Sequence, residues 1–313
     1  MLIFVDAPLA ERHKSTLAAG AAGDSFIFRD ELPGESEQRE ALLKADILLG
    51  NPKPVEWLEK AVNLQWIQLY STGFEYYRHI KIPAVVTNMQ DYYSQPCAET
   101  AIAGILSLYR GAGEFAALKN KQQWVGHIIR PALQTLQNKH VIILGAGNIA
   151  RRIEKILQGF DCTIRLYARR SPNAVIRTTT ELEAALPAAD IVIACLPGTE
   201  ETKGLFTREM IAALKHNAIF CNVGRGNLLA DEQALTEALM HRRIGGAVLD
   251  VTQEEPLPAG HPLWSCPNTV LSQHSGGGST SEYEGIVACF LENLAAFKNG
   301  IPLKNIVRFD KGY

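Results

Sequence analysis

The chain has 313 residues, 47% hydrophobic and 20% charged, with 31 Lys and Arg against 33 Asp and Glu for a formal net charge of −2. That length accommodates two domains with separate cores, and the near-neutral balance offers no strong field to nucleic acid or a membrane surface. No stretch approaches the ~18 apolar residues that span a bilayer, and the apolar start Met1 to Ala7 is short, lacks a basic leader and runs into Asp6, so it reads as a strand. The six cysteines, at 97, 162, 195, 221, 266 and 289, form no C-x-x-C pair; several lie in apolar runs where buried free thiols are expected, a reducing, cytoplasmic setting follows, and none is assigned to a metal.

Along the first hundred residues short β-rich runs alternate with helical stretches: Leu2 to Val5, Phe26 to Phe28, Ile47 to Leu49, Trp66 to Leu69 and Val85 to Thr87. This is the pattern of a parallel α/β domain. After Pro96 the apolar periodicity of Ala98 to Tyr109 predicts a connector helix, and the polar run Lys119 to Gln123, with Trp124 and Pro131 beyond it, reads as a loop or arm. From Val141 the alternation resumes, with strands expected at Thr163 to Tyr167, Ile191 to Cys195, Ala218 to Val223, Ala247 to Val251 and Thr269 to Leu271, and a helix over Asp231 to Arg243. That predicts a second doubly wound sheet. A last helix, Ser281 to Lys298, and the strand-like tail Ile301 to Phe309 are expected to return to the first domain. The division is therefore 1–97 plus 282–313 for one domain and 98–281 for the other, with a ligand cleft expected between them.

The strand at Val141 to Leu144 is followed by Gly-Ala-Gly-Asn-Ile-Ala at 145–150. In a phosphate-binding strand-to-helix turn the first glycine allows the bend, the second lets a pyrophosphate approach the backbone, and a small third residue lets the helix pack closely; Gly145, Gly147 and Ala150 match those roles. Three charged residues fall at predicted strand ends of the same sheet, its ligand edge: Arg225 in Asn-Val-Gly-Arg-Gly-Asn, Glu255 in Leu-Asp-Val-Thr-Gln-Glu-Glu-Pro, and His274 in Ser-Gln-His-Ser-Gly-Gly-Gly.

With these segments on view, the chain resembles the D-isomer-specific 2-hydroxyacid dehydrogenase family across nearly its whole length, in its glyoxylate/hydroxypyruvate reductase-like branch. The resemblance rests on 145–150, Cys195 to Gly204, Asn222 to Gly226, Leu249 to Pro256 and Pro267 to Gly277, supported by Ala98 to Ala101 and Ser71 to Gly73. It implies an α/β fold of two doubly wound parallel-sheet domains, flavodoxin-like for substrate and Rossmann for the nucleotide, and an oxidoreductase moving a hydride between a nicotinamide and a small 2-oxo or 2-hydroxy acid. Arg225 then clamps the substrate carboxylate and polarises its keto oxygen, His274 donates a proton to the developing alkoxide, and Glu255, preferred over Glu254 because it directly precedes proline, orients the imidazole. Asn148 and Ile149 join Gly145 and Gly147 at the coenzyme, Pro197, Val223 and Gly224 line its nicotinamide, Asp250 meets the carboxamide, and Thr72 and Gly73 offer backbone donors to the substrate.

Where NAD-specific members carry an acid for the ribose 2′-hydroxyl, this chain has Ala168-Arg169-Arg170-Ser171. Arginines bind a 2′-phosphate bidentately, so NADP(H) is the expected coenzyme, with NAD(H) secondary. Tyr92, Tyr93, Phe74 and Trp264 are either pocket walls favouring short 2-oxo acids or core packing. The segment Gln122 to Pro131 resembles the family's homodimer region. The alternative function is a nucleotide-sensing binding protein or corepressor on the same fold, without turnover; a formate-type dehydrogenase would have no need of the His274 and Glu255 pair.

Overall fold

A computed structural model describes residues 1–309 and forms two compact units, one of Met1–Tyr93 with the chain from Ser279 onward and one of Ser94–Gly278. Positions 310–313 of the expected return segment lie outside the described residues.

The first unit begins β1 (Leu2–Val5), α1 (Glu11–Gly20), β2 (Ser25–Phe28), α2 (Glu35–Lys44), β3 (Ile47–Leu49), α3 (Trp57–Lys60), β4 (Trp66–Gln68) and β5 (Val85–Thr87). The strands pair in parallel in the order β2-β1-β3-β4-β5, the flavodoxin-like arrangement. Runs such as Ile47-Leu48-Leu49 are apolar at every position because helices cover both faces of the sheet.

The second unit holds α4 (Ser94–Tyr109), α5 (Ala112–Asn120), β6 (His140–Leu144), α6 (Asn148–Gln158), β7 (Thr163–Tyr167), α7 (Thr179–Ala185), β8 (Ile191–Ala194), α8 (Arg208–Ala212), β9 (Ile219–Asn222), α9 (Glu232–Met240), β10 (Gly246–Leu249) and β11 (Thr269–Leu271). Its six parallel strands run β11-β10-β9-β8-β6-β7. The chain leaves β6 toward β7 on one side and returns to β8 on the other, so the turn after β6 lies at the topological switch point where open α/β sheets bind ligands. Helix α4 lies close on this sheet: a Cβ added at Gly104 would come within 2.4 Å of Val248. The chain then returns to the first unit through α10 (Glu282–Lys298), where Phe290 stacks on the fully buried Trp66 with ring centroids 5.0 Å apart.

Three stretches differ from the pattern read in the sequence. Helix α4 starts at Ser94, because a proline in the first helical turn, here Pro96, removes no intrahelical hydrogen bond. The expected loop at 119–123 begins inside α5, whose Glu114-Phe-Ala-Ala-Leu-Lys core has high helix propensity, and a 3-10 segment over Gly126–Ala132 follows. The tail 301–309 is no strand: it meets β5 through the isolated antiparallel bridge of Thr87 with Ile306, flanked by Asn88 N–H to Asn305 O at 3.1 Å and Val307 N–H to Val86 O at 2.8 Å.

Candidate active site

The turn after β6 opens at the switch point of the sheet. Gly145 has φ +125° and sits against Cys195, where an added Cβ would lie 3.1 Å from the thiol sulfur and 3.3 Å from the carbonyl oxygen, so only glycine fits there. An added Cβ at Gly147 would meet no atom within 4 Å. Gly147 is the exposed N-cap of α6 and makes no side-chain cap bond; Asn148 and Ile149 form the first helical turn, and Ala150 is fully buried beneath it. Open space at the second glycine before the positive end of an eleven-residue helix fits a pyrophosphate.

Strand β7 ends at Tyr167, placing Arg169 and Arg170 in the exposed turn beyond it. Both converge on Glu201: Arg169 Nη1 lies 3.3 Å from Oε2, Arg170 Nη2 3.2 Å from Oε1, and Arg169 Nη2 donates to the Glu201 carbonyl at 3.2 Å. Glu201 belongs to the loop after β8 that also carries Pro197. Thr202 ties that loop down, its Oγ1 donating to Pro197 O at 2.5 Å and accepting from Thr199 N–H at 2.9 Å.

The other end of the sheet edge carries Arg225, Glu255 and His274. Arg225 follows β9 and is half-buried, and Asn222 locks its loop by donating from Nδ2 to Arg225 O at 3.0 Å and accepting from Gly224 N–H at 3.0 Å. Val223 and Gly224 are buried, and Gly224 leaves 2.7 Å between an added Cβ and Leu196 O. Arg225 Nη1 donates to Gly224 O at 2.8 Å. Gly198, beside Pro197, allows close passage of the same arginine, since its added Cβ would lie 3.1 Å from Arg225 Cγ.

His274 lies in a turn after β11 with φ +54°, preceded by Gln273 at φ +55°. Two successive non-glycine residues in the left-handed region need outside support, and Asp250 supplies it. Its carbonyl accepts from His274 N–H at 2.5 Å, and its Oδ1 accepts from Ser272 Oγ at 2.7 Å, Ser275 N–H at 3.1 Å and Gly276 N–H at 2.9 Å. The buried Asp250 is thus the anchor of the histidine turn, a bond set the sequence did not reveal. Of the two adjacent acids, Glu255 is the one against the imidazole, with Oε2 2.6 Å from Nδ1 and Oε1 accepting from Thr252 N–H at 3.1 Å. The carboxylate fixes Nδ1 as a donor and leaves Nε2 to exchange a proton. Glu232 at the start of α9, also missed in the sequence, steadies that loop by accepting from Gln253 N–H at 2.9 Å.

Burial pushes the Cys195 thiol up to about 12. The Cys97 thiol is pushed up to about 11, by burial first and then by Asp250, with Arg225 working the other way. In the first unit Thr72 is exposed; its Oγ1 donates to Gln90 O at 3.2 Å while its carbonyl accepts from Asn88 Nδ2 at 2.7 Å, and Gly73 O accepts from Ser71 Oγ at 2.7 Å. Of the aromatic candidates, Phe74 is core, packed edge-on to Phe309. Tyr93 Oη donates to Tyr70 O at 2.6 Å, Tyr92 Oη to Ser281 O at 2.8 Å, and Trp264 is half-exposed. Among the described residues no group of three His, Cys, Asp or Glu side chains could hold a metal ion, and no helix is long and apolar enough to cross a membrane.

The parallel sheet, its switch-point glycine turn and the helix that follows define a Rossmann nucleotide-binding unit of an NAD(P)-dependent oxidoreductase. Residues 102–276 match the family model described as D-isomer specific 2-hydroxyacid dehydrogenase, NAD binding domain, and the chain belongs to the D-isomer-specific 2-hydroxyacid dehydrogenase family. It is 33% identical over 283 residues, 87% of each chain, to a glyoxylate/hydroxypyruvate reductase B of Klebsiella pneumoniae. A D-isomer specific 2-hydroxyacid dehydrogenase family protein of Aeromonas salmonicida superposes with a TM-score of 0.86 at 27% identity, over 99% of both chains. A family member of Xanthobacter autotrophicus, solved in complex with NADPH and MES, superposes with a TM-score of 0.80 at 25% identity, over 100% of this chain and 99% of that one.

Proposed function

We propose that this enzyme reduces short 2-oxo acids of the glyoxylate and hydroxypyruvate kind to 2-hydroxy acids of the D-series, with NADP(H) preferred and NAD(H) secondary. The observation that carries the reading is the His274–Glu255 pair, Nδ1 to Oε2 at 2.6 Å, on the sheet edge that also bears Arg225. When bound, the dihydronicotinamide supplies the hydride for the keto carbon. Arg225 holds the substrate carboxylate and draws charge toward the keto oxygen; His274 delivers a proton from Nε2 to that oxygen, while Glu255 holds Nδ1–H and balances the imidazolium. Gly145, Gly147, Asn148 and Ile149 receive the pyrophosphate, and Arg169 and Arg170 the 2′-phosphate. Pro197, Val223, Gly224 and Asp250 border the nicotinamide, and Thr72 and Gly73 present backbone donors to the substrate.

The same reading assigns substrate binding to the domain of residues 1–97 and 282–313 and the coenzyme to 98–281. It makes the enzyme a cytoplasmic homodimer. Six free thiols suit a reducing compartment, and Trp124 and Ile128, 96% and 73% exposed in the arm after α5, suit burial against a second copy.

The test is a matrix of glyoxylate, hydroxypyruvate, pyruvate and longer or branched 2-oxo acids against NADPH and NADH. The expected result is the highest kcat/KM for a two- or three-carbon acid with NADPH. Absence of turnover with every acid would overturn the reductase reading, and an NADH preference would overturn the coenzyme assignment.

A further inference from the structure

The arginines offered to a 2′-phosphate already hold an anion of the chain's own. Each carboxylate oxygen of Glu201 pairs with a different arginine, Oε2 with Arg169 at 3.3 Å and Oε1 with Arg170 at 3.2 Å, and the Glu201 carbonyl takes a second Arg169 N–H at 3.2 Å. This is how two adjacent guanidinium groups would divide the oxygens of a phosphate. The backbone that delivers the carboxylate is held in place: Thr202 bonds across its loop, and Gly204 N–H donates to Asn227 O at 2.9 Å. The side chains are free to rearrange, since Glu201 is 57% exposed and the arginines 45% and 69%. Building on the NADP(H) assignment above, we propose that Glu201 is a resident competitor for the 2′-phosphate and sets the coenzyme ratio.

Glu201 occupies the arginine pair, and a 2′-phosphate must displace its carboxylate. A phosphate monoester, carrying about −1.5 to −2 charge at pH 7 and three acceptor oxygens, outbids a carboxylate with one charge and two oxygens, but by less than it would gain from unoccupied arginines. A coenzyme with a bare 2′-hydroxyl has no such charge and leaves the ion pairs in place. The carboxylate therefore weakens NADP(H) selectively and narrows the gap to NAD(H). The same role accommodates an acid only 31 to 32 positions beyond the arginines in sequence, brought to them by the fold.

The experiment measures binding of 2′,5′-ADP and 5′-AMP, which differ by the 2′-phosphate alone, to wild type, E201Q, E201A and the double variant R169A/R170A by calorimetry. In E201Q and E201A the dissociation constant of 2′,5′-ADP is expected to fall by roughly three- to tenfold while that of 5′-AMP stays within about twofold, the scale of two solvent-exposed ion pairs. R169A/R170A is expected to lose the wild-type preference for 2′,5′-ADP. Unchanged or weaker 2′,5′-ADP binding in both Glu201 variants, with that preference lost in the double variant, overturns the competitor role alone. Retention of the preference in R169A/R170A overturns the NADP(H) assignment beneath it.

Discussion

Gly226 faces the carbonyl of Thr252 so closely that a Cβ added to the glycine would lie 1.7 Å from the oxygen and 2.2 Å from its carbon. The obstruction is backbone on both sides, so no rotamer change relieves it. The contact locks the loop carrying Arg225 to the loop carrying Glu255, and Gly226→Ala must push the two apart. Displacing a clamping arginine by about 1 Å costs on the order of 100-fold in rate, and overpacking costs about 1–3 kcal/mol. Both losses are expected in G226A, measured as kcat/KM and Tm. Gly147→Ala makes the contrast, because its added methyl meets no protein atom within 4 Å: Tm should hold while coenzyme binding weakens. Wild-type turnover in G226A would show that the two loops move independently.

The 2.6 Å contact of His274 with Glu255 predicts a strongly non-additive pair. H274A should lose most reduction at neutral pH, about 10²- to 10⁴-fold in kcat, while coenzyme dissociation constants stay near wild type. E255Q removes the charge opposite the imidazolium and should fall within the same range. The double variant should be scarcely slower than the slower single one, because each change disables the same proton transfer. Independent, multiplying losses in stopped-flow reduction assays would separate Glu255 from the role of His274.

Cys195 touches the glycine turn after β6, its thiol donating to Leu144 O at 3.3 Å and packing where Gly145 lacks a side chain. With that thiol pushed up to about 12 and Cys97 to about 11, the thiolate fraction at pH 8 is on the order of 10⁻³ to 10⁻⁴, and the thiolate is the reactive form. Iodoacetamide at pH 8 should leave both residues unmodified in the folded enzyme and label them after denaturation, read by peptide mass spectrometry. Stoichiometric labelling of either in the native protein within minutes would show an accessible thiolate and contradict the burial argument.

The sheets were legible because most strands are short, largely apolar runs set between helical stretches, as in Ile191-Val192-Ile193-Ala194, all buried. The strand-end positions of Arg225, Glu255 and His274 follow from that alternation. What stayed hidden was bonding between segments distant in the chain. Nothing in the order of residues says that Asp250 holds the turn of His274, or that Glu201 lies against Arg169 and Arg170: the first contact joins the end loops of the neighbouring strands β10 and β11, and the second joins the loops after β8 and β7, which flank β6 on either side. The end of α5 reads as part of the loop from Lys119 for the opposite reason: the helix Ala112–Asn120 buries none of its own residues, so it has no apolar stripe to betray it.

Asp190 joins β8 to its surroundings, accepting from His140 N–H at 2.8 Å and from Lys215 Nζ at 2.7 Å. Burial, the largest influence, would raise its pKa, but Lys215 and the His140 N–H outweigh it and hold the carboxyl below its ordinary value. A carboxylate with a depressed folded pKa stabilises the protein above the unfolded value of about 3.9, and the contribution is lost as pH falls through the folded pKa. Asp190→Asn should therefore be less stable than wild type at pH 7, with the difference beginning to shrink below about pH 4 and vanishing only as pH falls through the depressed folded pKa, where wild type too becomes uncharged at this position. Lys215 is 38% exposed, so solvent screening limits the ion pair; the expected loss at pH 7 is about 1 kcal/mol, or about 2–4 °C in Tm for a unit of this size. Paired thermal melts from pH 3 to 8 provide the measurement. A wild-type minus D190N difference that persisted undiminished at pH 3 would mean that the asparagine perturbs packing and that the Asp190 charge carries none of the stabilisation.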